Sequence, residues 1–482
     1  MSEAFLSALR HTLPAEALVL DVERLRAFEC DALSAYRALP MAVALPGSEE
    51  DVIAVLQLAH AHRIPVVARG AGTGLSGGAT PTAGCLLLGM SRMRRLLYLD
   101  PLARYARVQP GVRNQAISEA AGHYGLYYAP DPSSQIACTI GGNVAENAGG
   151  IHCLKYGLTV HNLLGLRAVT MEGELLELGG TLDCNGYDLL ALLTGSEGLL
   201  AVVTEVTVRL LPKPQLARVI LASFAEVGHA ADAVAQLVGS GATPAALEMM
   251  DGATVRAVED FLQAGYPTDV AALLLCEADG TPEEVEADIV QMSRVLRAAG
   301  ACELRVSDSE AERQQLWAGR KAAFPAAAKL APDYYCMDGS IPRAAVGRVL
   351  AGIASLSAQY GLACINVFHA GDGNLHPLIL FDANRAGELA RAEQFGTDIA
   401  ALCVSEGGAI TGEHGVGIEK LDGMCAQFNA AELGQFSAIK AAFDPLGLLN
   451  PGKLIPTLHR CAEYGRMHVH RGQLPHPELP RF

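Results

Sequence analysis

Residues 69–78 read Arg69-Gly70-Ala71-Gly72-Thr73-Gly74-Leu75-Ser76-Gly77-Gly78, directly behind the strand-like run Ile64-Pro-Val-Val-Ala68. Backbone without Cβ atoms adopts positive φ at little cost, and its successive N–H groups can form a concave nest for an anion. A diphosphate is the natural guest. The run carries no Walker lysine, and the Rossmann spacing fits it poorly. Two readings follow: a dinucleotide held in some other way, or a tight structural turn. Upstream, Met41-Ala-Val-Ala-Leu45 reads as a strand, and Ser48-Glu-Glu-Asp51 opens a helix that runs to about Ala61. The segment is thus a βα unit that delivers a loop.

At 482 residues, the chain is long enough for two or three domains. Its formal charge of −16 argues against nucleic acid or an anionic membrane as a partner, since both need a basic field. Every apolar run is broken before it reaches spanning length, and the N-terminus carries acids early. The expectation is a cytoplasmic chain without membrane insertion. The cysteines are scattered, with no C-x-x-C pair, so an electron relay beyond one bound cofactor belongs to another chain. Composition suggests an N-terminal segment (1–40), a first domain (41–214) ending at Pro212-Lys-Pro214, a second domain of strands alternating with helices (215–443), and a turn-rich segment (444–482) that folds back on the first.

A second small-residue stretch, PDPSSQIACTIGGNVAENAGG over 130–150, is suited to flank the same extended ligand. These two stretches, with Gly195-Ser-Glu-Gly198 and Asn450-Pro-Gly-Lys453, resemble the FAD-binding elements of the vanillyl-alcohol-oxidase type flavoproteins, in their 2-hydroxy-acid dehydrogenase branch. The resemblance covers nearly the whole chain, and the tail PTLHRCAEYGRMHVHRG extends it to the FAD-linked subunits of bacterial glycolate oxidases. It implies an α+β fold: a two-part FAD-binding domain and a cap domain with a mainly antiparallel sheet. It further implies that 69–78, with Pro130, Asp131, Ser134, Gly141, Gly142, Asn143, Asn147, Gly149, Gly150, Gly198 and Asn450, surrounds FAD. Relatives with covalently attached flavin carry histidine at the position of Thr73, so FAD is expected to be non-covalent here.

In the second domain, Ile365-Asn-Val-Phe-His-Ala-Gly-Asp-Gly-Asn-Leu-His-Pro-Leu-Ile-Leu-Phe381 reads as two apolar strands around Asp372-Gly373, a preferred two-residue turn. That register would set His369 directly opposite His376, close enough for two imidazoles to share a metal ion. Hydrogen-bonded core histidines are the plain alternative. A carboxylate is wanted as third ligand, and Ala409-Ile-Thr-Gly-Glu-His-Gly-Val-Gly417 offers Glu413 beside His414. By the resemblance, HAGDGNLH and GEHG carry the metal ligands His369, His376 and Glu413 and the base His414. Oxidation of an α-hydroxy acid requires a base for the hydroxyl proton and a hydride acceptor, and a divalent metal lowers the alcohol pKa; a His₂Glu set suits zinc, with manganese and iron as alternatives. The substrate carboxylate needs a cation. Within Trp317-Ala-Gly-Arg-Lys321, the resemblance selects Arg320 over Lys321.

Relatives acting on a larger dicarboxylate carry threonine, lysine and asparagine where this chain has Phe324, Cys336 and Leu378. A small single-carboxylate acid is therefore expected, glycolate or D-lactate. The resemblance further implies as partners a second flavin-type subunit and an iron–sulfur subunit, which bring the chain peripherally to the inner membrane. A free-standing D-lactate dehydrogenase and a non-catalytic flavoprotein subunit are the rival readings. The histidines of the tail (His459, His468, His470, His476) read as an interface rather than a metal site.

Overall fold

The computed structural model describes residues 2–180 and 186–456; the histidine-rich tail lies outside them. The first sheet has strands β1 (Leu18–Val19), β2 (Ala42–Ala44), β3 (Val66–Arg69) and β4 (Leu86–Gly89) in the order β1-β2-β4-β3, with β2, β4 and β3 parallel. Helix α1 (Glu49–His62) joins β2 to β3. Its N-cap Ser48 accepts from Asp51 N at 3.2 Å, and Val52, Val55, Leu56 and Ala59 pack on the sheet. The glycine run leaves the C-terminal end of β3, where open parallel sheets place their ligands.

A second, antiparallel sheet runs β5-β6-β9-β7-β8, from β5 (Leu96–Asp100), β6 (Tyr105–Val108), β7 (Leu163–Val169), β8 (Leu175–Gly179) and β9 (Val202–Arg209). Helix α2 (Ile140–Glu146) buries Ile140 and Val144 against its core. The segment after Phe443 returns to the first sheet: Leu448 O accepts from Val66 N, and Val66 O accepts from Asn450 N, each at 2.8 Å.

The third sheet is antiparallel and nine-stranded. Its strands are β10 (Leu216–Phe224), β11 (Ala246–Asp251), β12 (Ala272–Gly280), β13 (Glu303–Val306), β14 (Asp333–Cys336), β15 (Gly339–Ser340), β16 (Cys364–His369), β17 (Asn374–Leu375) and β18 (Pro377–Phe381). Both faces are covered, which explains why these strands read as continuous apolar runs. Ile220, Ala222 and Phe224 meet helices 227–239, 282–298, 346–360 and 388–405 on one face, whereas Val219 and Leu221 meet helices 252–262 and 310–321 on the other. That second face also carries the buried acids Glu248, Glu277 and Asp279. The fold is α+β, with a mainly antiparallel second half.

Candidate functional site

A cavity of about 410 Å³ lies between the two glycine-rich stretches. Residues 69–75, Gly78, Ser134, residues 141–143 and Gly198 form its wall. The two stretches touch so closely that a Cβ on Gly70 would overlap Thr139 Oγ1. Thr139 Oγ1 is itself buried without a hydrogen-bond partner, and it lines the cavity. A polar atom of this kind, among backbone-rich walls, suits a polar ligand such as a diphosphate.

The remaining residues expected around the cofactor stand one layer behind that wall, for identifiable reasons. Ser76 O accepts from the backbone N–H groups of Ile418 and Glu419 at 2.9 and 3.1 Å, and Gly77 packs on Ile418, so both hold the 412–419 turn. Pro130 O accepts from Asn114 Nδ2, and Asp131 is taken by His152. Asn147 caps α2 in the left-handed region and accepts from Val160 N. Gly149 backs onto the Glu413 carboxylate, and Gly150 lies against the Asp131 backbone. Asn450 Nδ2 donates to Gly78 O at 3.0 Å and Glu197 O at 2.7 Å, pinning the end of the first loop.

At one end of the cavity stand His376, Glu413 and His414. The hairpin that carries the histidines differs from the two-residue turn. His369 pairs with Asn374 and Asn366 with Pro377, leaving a four-residue loop over 370–373. His376 is therefore diagonal to His369 rather than opposite it. A two-residue slip leaves side chains on the same face, and the two rings still meet edge to face with centroids 5.1 Å apart. Glu413 Oε1 lies 3.3 Å from His369 Nε2 and 3.1 Å from His376 Nε2. Ligand atoms of the three residues all lie within 4.8 Å of one another.

Two buried carboxylates missed by the sequence reading hold this group. Glu248 accepts from Arg320 Nε at 2.8 Å and pairs with its second terminal nitrogen at 2.6 Å, while its other oxygen is 2.7 Å from His369 Nδ1. Arg320 is thus 2% exposed and outside the cavity wall, because the carboxylate it meets is the protein's own; its neighbour Lys321 is on the wall. Asp338 accepts from the backbone N–H groups of Gly412, Glu413 and His414 at 3.0 to 3.1 Å, from Thr411 Oγ1 and from Lys420 Nζ. A signal was present for Glu248, a lone acid inside an apolar strand, Ala-Leu-Glu248-Met-Met; Asp338, between two strands and followed by Gly339, carried none.

Electrostatics separate the roles. Burial opposes ionisation of Glu413, but the imidazoles of His369 and His376 hold it well below the ordinary carboxylate range. Burial likewise opposes charge on His369, yet Glu248 and Glu413 raise it well above the usual imidazole value. His414 behaves oppositely: burial pushes it down to about 4, against the pull of Asp338. Its ring is neutral at ordinary pH. Of the three positions used to judge substrate size, Phe324 lines the cavity, Cys336 lies beside His376 and His414, and Leu378 is fully buried against Ile365.

Residues 213–454 match the family of FAD linked oxidases, C-terminal domain, and residues 40–179 match the FAD binding domain. The chain belongs to the FAD-linked oxidase family. It is 60% identical to the glycolate oxidase subunit GlcD of Escherichia coli strain K12, over 99% of this chain and 96% of that one. It is 38% identical to the glycolate oxidase subunit GlcD of Bacillus subtilis, over 89% and 91%. Among solved structures, 4-ethylphenol oxidase from Gulosibacter chungangensis superposes with a TM-score of 0.80 at 18% identity, over 95% of this chain and 98% of that one, which shows the fold. As a member of this family the chain is an FAD-linked oxidoreductase. No helix among the described residues is long and apolar enough to cross a membrane.

Proposed function

We propose that this chain holds FAD non-covalently in the cavity and oxidises glycolate, and D-lactate, to the 2-oxo acid. The observation that carries the reading is the meeting of Glu413, His376 and a neutral His414 at the end of a cavity bounded by both glycine loops. When bound, FAD supplies the acceptor for the hydride leaving the α-carbon. His369, His376 and Glu413 would hold a divalent cation, zinc by the character of the donors, which supplies a Lewis acid for the substrate hydroxyl. His414 takes the hydroxyl proton, and Asp338 fixes the turn that aims it. Glu248 fixes the ring of His369. The substrate carboxylate falls to Lys321, the cation on the cavity wall, beside the Arg320 that Glu248 holds behind it. Phe324 offers an apolar wall where a second carboxylate would need a cation.

Identity to proteins named as glycolate oxidase subunits supports a multi-chain assembly. In that assembly electrons pass from this chain to a second flavin-type subunit and an iron–sulfur subunit, which hold it at the inner membrane. Glycolate added anaerobically to the purified yellow protein should bleach the flavin band quickly, D-lactate should do so too, and D-2-hydroxyglutarate should be far slower. Absence of bleaching by glycolate and D-lactate in FAD- and metal-replete protein would overturn the reading, and equal efficiency on D-2-hydroxyglutarate would overturn the pocket assignment. The variant His414→Ala should keep its FAD and lose bleaching by at least about 100-fold; an unchanged rate removes His414 as the base.

A further inference from the structure

The ligand set of His369, His376 and Glu413 has a neighbour. Cys336, at the end of β14, brings its Sγ within 4.8 Å of one nitrogen each of His376 and His414, whose own nitrogens are equally close to one another. The two imidazoles are stacked, with centroids 5.0 Å apart and planes 3° from parallel. Their hydrogen bonding is incomplete: Nδ1 of His376 and Nδ1 of His414 are both buried without a partner, and His376 as a whole is 2% exposed. His369 differs sharply, since Glu248 faces its Nδ1 and Glu413 its Nε2. A buried imidazole nitrogen left unmatched costs free energy, and a histidine that serves a metal ordinarily has its second nitrogen occupied.

The thiol is poorly engaged as well. Among the described residues its one hydrogen-bond contact is a weak one to Met337 O at 3.5 Å. A thiol and two imidazoles at this spacing form a soft donor set, the type that selects zinc and cadmium over magnesium or calcium. Both imidazoles line the main cavity, so the position opens on the side where substrate enters.

We propose that Cys336, His376 and His414 form a second cation position, filled by a soft divalent ion in excess, and that filling it stops turnover by occupying His414. The inhibitory part rests on the reading of His414 as the base. Binding exchanges two protons for the ion, that of the Cys336 thiol and the remaining N–H proton of His376, whose ring then bridges the two positions as imidazolate; sulfur–metal and nitrogen–metal bonds form, and both protons pass to solvent with no change of oxidation state. His376 belongs to both triplets, so the two positions adjoin.

The test titrates zinc into metal-replete, FAD-loaded protein and reads X-ray absorption at the zinc edge. The first triplet contains no sulfur, so a sulfur neighbour at about 2.3 Å that depends on Cys336 reports the second position. It should appear in the wild type and in Cys302→Ser, which removes an exposed thiol, and be missing in Cys336→Ser and Cys336→Ala. Two replacements guard against one failing to fold, and retained FAD absorbance reports folding. In parallel, zinc should slow anaerobic bleaching by glycolate at least about tenfold in the wild type, and the ratio of rates with and without zinc should return towards one in the Cys336 variants. A sulfur neighbour that persists in both Cys336 variants, or never appears in the wild type, overturns the cation position. If it appears and depends on Cys336 while wild-type bleaching ignores zinc, the inhibitory role and the assignment of His414 as base fall together.

Discussion

Glu248 shows how one residue serves two others. Fully buried, it faces the guanidinium of Arg320 on one oxygen and the imidazole of His369 on the other. Burial raises its pKa, but His369 and Arg320 together hold it below the ordinary glutamate value. Replacing it by glutamine strands a buried guanidinium, a loss that typically costs about 3–5 kcal/mol. Glu248→Gln should therefore unfold at markedly lower urea concentration, and a shift under about 1 kcal/mol would contradict the arrangement. Asp338→Asn tests positioning instead. The turn that carries Glu413 and His414 would lose a charged acceptor shared by three backbone N–H groups and Lys420. The expected result is unchanged FAD content with glycolate bleaching about 100-fold slower, since small misplacements of reacting groups cost that much. Motif residues such as His369, His376, Glu413 and His414 were legible because unusual residue types cluster in short glycine-bordered runs. Glu248 and Asp338 were not: a lone acid in an apolar strand shows that Glu248 must be satisfied without showing by what, and Asp338, in the short connection between two strands, gives no local sign of the turn it holds.

At the scale of elements, the hairpin separates what a periodic pattern determines from what it leaves open. Alternation fixes which face a side chain takes, so His369 and His376 emerge together even though Asp372-Gly373 is the second half of a four-residue loop rather than a two-residue turn. Loop length depends on tertiary contact: Gly373 N–H donates to His369 O, and Gly373 O accepts from Ile341 N, which lies on a different segment. The glycine loops show the same division. Their small residues were readable as a cradle, but Ser76 and Gly77 of the first loop serve the turn at 412–419 instead, holding Gly417 and Ile418. Gly417 has φ +52, and a Cβ there would overlap Ser76 O. Gly417→Ala should thus push the turn off the loop, lowering stability by more than 1 kcal/mol or so and reducing the FAD retained through gel filtration. Gly239→Ala, at the end of a helix with no atom within 4 Å of the new carbon, is the matched control and should retain full FAD. Equal behaviour of the two would refute the docking role.

At the scale of the molecule, the question is what joins the FAD-binding half to the nine-stranded sheet. Their joint brings together residues more than a hundred positions apart, which no local pattern encodes. Glu277 and Asp279 on β12 reach residues 152–156: Asp279 takes Lys155 and the Tyr156 hydroxyl, and Glu277 takes His152, Arg313 and Trp317 Nε1. His152 is the member whose unperturbed side chain titrates near neutrality, with Nδ1 2.7 Å from Asp131 Oδ2 and Nε2 3.2 Å from Glu277 Oε1. Burial disfavours the imidazolium, yet Asp131 and Glu277 outweigh it and raise the pKa well above the usual 6.5. In the unfolded chain this histidine releases its proton near pH 6.5, whereas in the folded protein it keeps the proton to higher pH. Its stabilising contribution is therefore complete below about pH 6.5 and declines as pH rises from there through the folded pKa. Urea unfolding of the wild type and His152→Gln, compared from pH 6 to pH 9, should show the largest difference at pH 6 and a steady narrowing above it. A difference that stays flat or widens with pH would mean that His152 is held neutral, and that the two halves are joined by Lys155, Tyr156 and Arg313 without it.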